Sequence, residues 1–101
     1  MRNVVFIAPF PMRATMRFGA AISKLSNVRL IGIFQKAPSA EMAQRFDHII
    51  LVDNAISVDV LSKTMTQVVS AFGPIHRLLG ILESLQEQLA ILRERFGISG
   101  V

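Results

Sequence analysis

The side chains of this 101-residue chain that are able to do chemistry are few and widely spaced. Two carboxylates stand out by position. Asp53 closes the run Asp47-His-Ile-Ile-Leu-Val-Asp53, and Glu83 lies between the apolar run Ile75-His-Arg-Leu-Leu-Gly-Ile81 and Ser84-Leu-Gln-Glu87. The latter has the spacing of a capping box, in which serine and glutamate each satisfy an open amide at a helix start. Glu83 therefore carries two readings. It complements the positive end of the helix dipole, or it faces a cleft and binds an amine or cation. The histidines, His48 and His76, have no cysteine or second histidine at ligand spacing, so no metal site is expected. With no cysteine, thiolate chemistry and a disulfide scaffold are excluded. No Ser-His-Asp set, Gly-x-Ser-x-Gly elbow or phosphate-binding Gly-x-x-x-x-Gly-Lys-Ser/Thr loop occurs. The chain holds no self-sufficient catalytic constellation.

The elements that must position these residues follow from a hydrophobic period that switches repeatedly. Residues 3–8, 28–34, 47–52 and 75–81 are near-continuous apolar runs, the pattern of strands buried on both faces. Between them, Ala14, Phe18, Ala21, Ile22 and Leu25 fall at helical spacing, and a short helix or turn is expected over 39–46. Residues 57–72 carry Val58, Leu61, Met65, Val68 and Phe72 on one helical face, and Gly73-Pro74 supplies the stop. A last helix buries Leu85, Leu89, Leu92 and Phe96 and ends at Gly97. Alternating strands and helices predict an α/β fold: a Rossmann-like three-layer α/β/α domain with a four-stranded parallel sheet. Short right-handed crossovers favour the order 3-2-1-4.

In such a sheet, ligands bind beyond the carboxyl ends of the strands where the order reverses, here between strands one and four. The candidate cleft residues are then Pro9, Phe10, Pro11 and Met12 after strand one and Glu83 after strand four, with Gly80 permitting a close backbone approach or helix packing. Arg13, Gln35, Lys36 and Asp53 are weaker candidates further out.

Composition bounds the function. The chain is 51% hydrophobic and 18% charged, with a mean hydropathy of +0.48. That is apolar for one small domain and predicts apolar surface that meets a partner or a further segment. No run approaches the roughly 18 apolar residues of a membrane helix, and positions 1–25 lack a signal-peptide pattern. A cytoplasmic protein without a membrane partner is expected. Of the net charge of +4, residues 1–46 hold seven basic residues against Glu41 alone, while residues 47–101 hold four basic and six acidic. The basic residues stand singly, and there is no Tyr or Trp to stack bases, so no nucleic-acid partner is expected.

Two nucleotide or phosphate readings fail on missing parts. A dinucleotide site needs Gly-x-Gly-x-x-Gly after strand one, whereas this chain has Ala8-Pro-Phe-Pro-Met-Arg-Ala14, and strand two ends in Gln35 and Lys36 rather than an acid. The run ending in Asp53 resembles the phosphorylated strand of a response-regulator receiver. It lacks the acidic pair after strand one, the hydroxyl after strand four and the fifth strand with its lysine.

Four stretches carry a different resemblance: Val28-Arg-Leu-Ile-Gly-Ile33, Gly73-Pro-Ile-His-Arg-Leu-Leu-Gly80, Glu83-x-x-Gln-x-x-Leu-Ala90 and Leu92-Arg-Glu-Arg-Phe-Gly-Ile-Ser-Gly-Val101. Together they are similar to the amino-terminal, pre-ATP-grasp domain of ATP-grasp ligases of the carboxylate–amine ligase and biotin-carboxylase-like type. The resemblance implies an enzyme that activates a carboxylate as an acyl phosphate for attack by an amine-type nucleophile. It also implies that ATP and Mg²⁺ are held by later domains, so this chain holds no cofactor and no catalytic residue. The amino-terminal domain would supply one wall of the cleft, through Pro9–Met12 and Glu83. Gly97-Ile-Ser-Gly-Val101 then reads as the exit toward carboxyl-terminal ATP-grasp domains, with 1–101 as the leading domain of a longer protein. The alternative is a free-standing Rossmann-like interaction module that forms a homodimer through the apolar edge at Ile75–Leu82. A third reading is a phosphate-binding domain using Arg13 or Arg17.

Overall fold

The computed structural model describes residues 2–10, 17, 21, 22, 24, 25, 27–80 and 85–99. Its elements are β1 (Arg2–Ala8), β2 (Val28–Phe34), α1 (Ala40–Ala43), β3 (His48–Leu51), α2 (Val58–Phe72), β4 (Ile75–Leu79) and α3 (Gln86–Phe96). All four strands are parallel in the order β3-β2-β1-β4, as the sequence predicts.

The apolar runs are buried because helices and loops lie against both faces of the sheet. On one face Val5, Ile7, Ile31, Ile33, Ile75 and Leu78 meet Leu61, Met65 and Val68 of α2 and Leu89 and Leu92 of α3. On the other, Val4, Phe6, Ala8, Leu30 and Phe34 meet Met42 of α1 and Phe46. Each such Val, Leu, Ile, Met or Phe side chain contributes about 1.5–3 kcal/mol through burial. The predicted helix over 14–25 falls mostly outside the described residues. Within it, Ile22 is helical and packs on the second face. Leu25, expected on the buried side, is 55% exposed, because it lies beyond the last helical residue described there and turns back through its N–H to the Ile22 carbonyl.

The helix ends obey the local signals. Ser57 accepts the Val60 N–H at the start of α2, and Gly73 ends that helix with φ 96°. Gly97, in the left-handed region at φ 64°, ends α3. The Ser84 member of the expected capping box lies outside the described residues. Gly32 is required by a close approach: a Cβ there would lie 2.5 Å from the Phe34 ring and 2.8 Å from that of Phe46. Those two rings meet edge to face at 5.3 Å.

A polar clamp holds the amino ends of the strands. Asn3, buried at 2% exposure, donates through Nδ2 to the carbonyls of Phe72 (2.9 Å) and Pro74 (3.0 Å). Its Oδ1 accepts from Arg29 at 3.3 Å, and the Arg29 guanidinium lies 4.8 Å above the Phe72 ring. The clamp satisfies a carbonyl that the helix end leaves open.

Candidate functional site

The order β3-β2-β1-β4 reverses between β1 and β4, so the candidate crevice falls at the carboxyl ends of those strands. Its rim is laced by hydrogen bonds that connect successive strand exits. The carbonyl of buried Pro9 accepts the N–H groups of Gln35 (3.0 Å) and Lys36 (3.1 Å), tying the exit of β1 to that of β2. Gln35 Oε1 in turn accepts the N–H of fully buried Ala55 at 3.0 Å, tying β2 to the loop after β3. Asn54 Oδ1 accepts the Ile56 N–H at 3.1 Å, a local turn, and Gln88 Nε2 of α3 donates to the Ile56 carbonyl at 3.2 Å. Gln86 Nε2 donates to the Gly80 carbonyl at 3.4 Å.

These bonds sort the candidate residues. Pro9 and Gln35 are built into the rim: one carbonyl and one amide oxygen are committed to backbone N–H groups. Phe10 (48% exposed), Lys36 and Asp53 stand out from the rim into solvent. They offer an apolar surface, a cation and a carboxylate, but no acid–base pair or nucleophile. Pro11, Met12, Arg13 and Glu83 lie outside the described residues. Among the described residues no enclosed pocket forms, and no three metal-ligating side chains come together. Gly80 is a packing glycine: a Cβ there would lie 3.2 Å from the Ile7 carbonyl oxygen and 3.2 Å from Leu89.

Both histidines stand at the opposite, amino-terminal edge. His48, exposed at the start of β3, has its ring 4.5 Å from that of Phe72. His76, near the start of β4, is held below the usual imidazole pKa by partial burial and by the Arg77 and Arg2 guanidiniums. Neither can serve a crevice at the carboxyl edge. Four arginines are likewise spent on structure: Arg29 on Asn3, Arg77 on the His76 carbonyl (3.0 Å), Arg93 on the Leu78 carbonyl (2.6 Å) and Arg95 on Ser62 (3.1 Å).

Sequence reasoning missed Gln88, although its position flanking the Leu85–Leu89–Leu92 stripe was the available signal. Its Nε2 anchors the loop after β3, and its Oε1 is buried with no donor among the described residues.

No family model matches the chain, and no curated protein matches it. Among solved structures it superimposes on an L-amino acid ligase from Bacillus licheniformis with a TM-score of 0.73 at 10% sequence identity. The superposition takes in 100% of this chain and 25% of the ligase, so the chain spans a quarter of that protein's length. At this identity the likeness is one of fold.

Proposed function

We propose that the chain forms one wall of the substrate cleft of an ATP-grasp ligase, an enzyme that activates a carboxylate as an acyl phosphate for attack by an amine-type nucleophile. The observation that carries this reading is the superposition on an amino acid ligase, which uses every part of this chain and leaves three quarters of the ligase for other work. The sheet order supports it as well, since the exits of β1 and β4 stand side by side at the reversal. ATP and Mg²⁺ would be held by further domains, and the chain alone is catalytically silent. Glu83 and Pro9–Met12 would line the cleft from this side, with Gln35 a support rather than a ligand.

The reading frame after codon 101 of the source gene is the direct test. A frame that continues into a lysine-containing, glycine-rich segment is expected, and a stop codon immediately after Val101 would overturn the proposal. Calorimetry on the 101-residue chain adds a second check. Tight, Mg²⁺-dependent ATP binding would contradict the assignment of the nucleotide to other domains. In the longer enzyme, Glu83→Ala is expected to lower turnover or substrate affinity, and unchanged kinetics would return Glu83 to the helix-dipole role.

A further inference from the structure

Basic residues that stand singly in the sequence are gathered by the fold at the amino-terminal edge of the sheet, on two different faces. Arg29 alternates with Ile31 and Ile33 and so lies on the face covered by α2 and α3, where its guanidinium and the His48 ring both rest against Phe72. Arg2 alternates with Val4 and Phe6 and lies on the other face. Arg77 is the partner of Val4 across the β1–β4 ladder, as Leu79 is of Phe6, so it shares that face with Arg2. The ladder slips just there. Asn3 pairs with Ile75 and Val4 with Arg77, which leaves His76 as the extra residue of a β-bulge between them.

These three groups are open to a ligand. Arg2 is exposed, and His76 and Arg77 are partly exposed. Among the described residues the Arg2 guanidinium and the His76 ring have no hydrogen-bond or ion-pair partner. Arg77 Nη1 donates to the His76 carbonyl at 3.0 Å, which fixes the guanidinium beside the bulge and leaves its remaining N–H groups unused. No described carboxylate balances them. Asp47 is two strands away, its Oδ2 accepting the Leu30 N–H at 2.7 Å, and Glu94 belongs to α3, on the other face. Glu41, Asp59 and Glu87 sit in the first turns of helices, and Asp53 follows β3, all at the carboxyl ends of the strands. The uncompensated charge is felt at His76, which partial burial, then Arg77 and Arg2, hold below the usual imidazole pKa.

We infer that Arg2, His76 and Arg77 form a binding site for the phosphate group of a small solute. Two guanidiniums that repel one another in the free chain are each satisfied by one anion through charge-assisted N–H bonds, and the imidazole adds a further donor. Phosphate suits the set better than a carboxylate does, because it offers three strong acceptor oxygens and a charge of about −1.5 to −2 at neutral pH. The inference stands independently of the ligase reading, whose crevice lies at the opposite edge.

Proton NMR of the 101-residue chain tests it. The chain has two histidines, so the His76 ring reports on the site and His48, on the other face, is the reference. At about pH 7 and constant ionic strength, inorganic phosphate should shift the His76 ring signals with a dissociation constant of about 1 mM and leave His48 in place. Acetate should shift neither. Arg2→Gln and Arg77→Gln should each weaken binding about tenfold while leaving the far-ultraviolet circular dichroism unchanged. Lys63→Gln, which removes an exposed cation from α2, should leave the affinity as it is. Glycerol phosphate as a second probe separates the sources: binding of both probes identifies an esterified phosphate as a ligand, and binding of the free ion alone identifies inorganic phosphate. A His76 signal unmoved at about 20 mM phosphate overturns the inference. So does a shift that acetate reproduces, or an affinity that Lys63→Gln lowers as much as Arg2→Gln, since the ion would then be answering to net charge alone.

Discussion

Replacing Asn3 by alanine removes the clamp that joins the start of β1 to the end of α2. The side chain is 2% exposed and makes two donated bonds of 2.9 and 3.0 Å and one accepted bond of 3.3 Å. A net hydrogen bond contributes about 0.5–1.5 kcal/mol, and a buried polar group left without its partner costs about 1–3 kcal/mol. Two well-formed bonds to carbonyls at a helix end therefore set the loss at about 2 kcal/mol. The longer Arg29 bond adds less, since the guanidinium retains its stack on Phe72. For a domain of this size about 2 kcal/mol corresponds to a fall in Tm of roughly 8–16 °C. Urea unfolding of the wild type and Asn3→Ala is the assay, and the midpoint should fall while the slope is unchanged. Asn3→Asp separates the bonds from the volume. It keeps the shape but loses both donors and places a carboxylate at the negative end of α2, so it should be no more stable than the alanine variant at neutral pH. A loss below about 0.5 kcal/mol for both variants would refute the reasoning, because water would then be satisfying the Phe72 and Pro74 carbonyls as well as Asn3 does.

Gly32→Ala drives a methyl group into the Phe34–Phe46 contact and should cost about 1–3 kcal/mol by overpacking; pairing it with Phe46→Leu should recover part of that in the same urea experiment. Gln35→Ala leaves the buried Ala55 N–H without its acceptor and should cost about 1–3 kcal/mol, whereas Gln35→Glu, which keeps an acceptor oxygen, should cost less. The folded-state pKa of His76 lies below its unfolded value, so in the imidazole range the unfolded chain binds more protons. Stability should be full above about pH 6.5 and fall as pH drops through the unfolded pKa toward the folded one. His76→Gln should flatten that part of the profile of urea midpoint against pH.

The sequence by itself determined the elements and their order. Strands buried on both faces read as unbroken apolar runs, Ser57, Gly73 and Gly97 mark helix ends through local backbone chemistry, and short crossovers leave few topologies. The point where the strand order reverses, between β1 and β4, was legible with it. What each rim residue does was not. Gln35 looked like a ligand candidate because it ends a strand, but its amide oxygen is committed to Ala55, a partner that only the packing of β2 beside β3 brings within 3.0 Å. Asn3 gave no signal at all, since its partners lie 69 and 71 residues away along the chain. The same holds in part for Gly32, whose missing Cβ makes room for the ring of nearby Phe34 and also for that of Phe46, which only packing brings there. Periodicity and caps are properties of neighbours in sequence, and the chain spells them out. Hydrogen bonds and close contacts between distant segments depend on where the sheet sets those segments, and only the tertiary structure decides that.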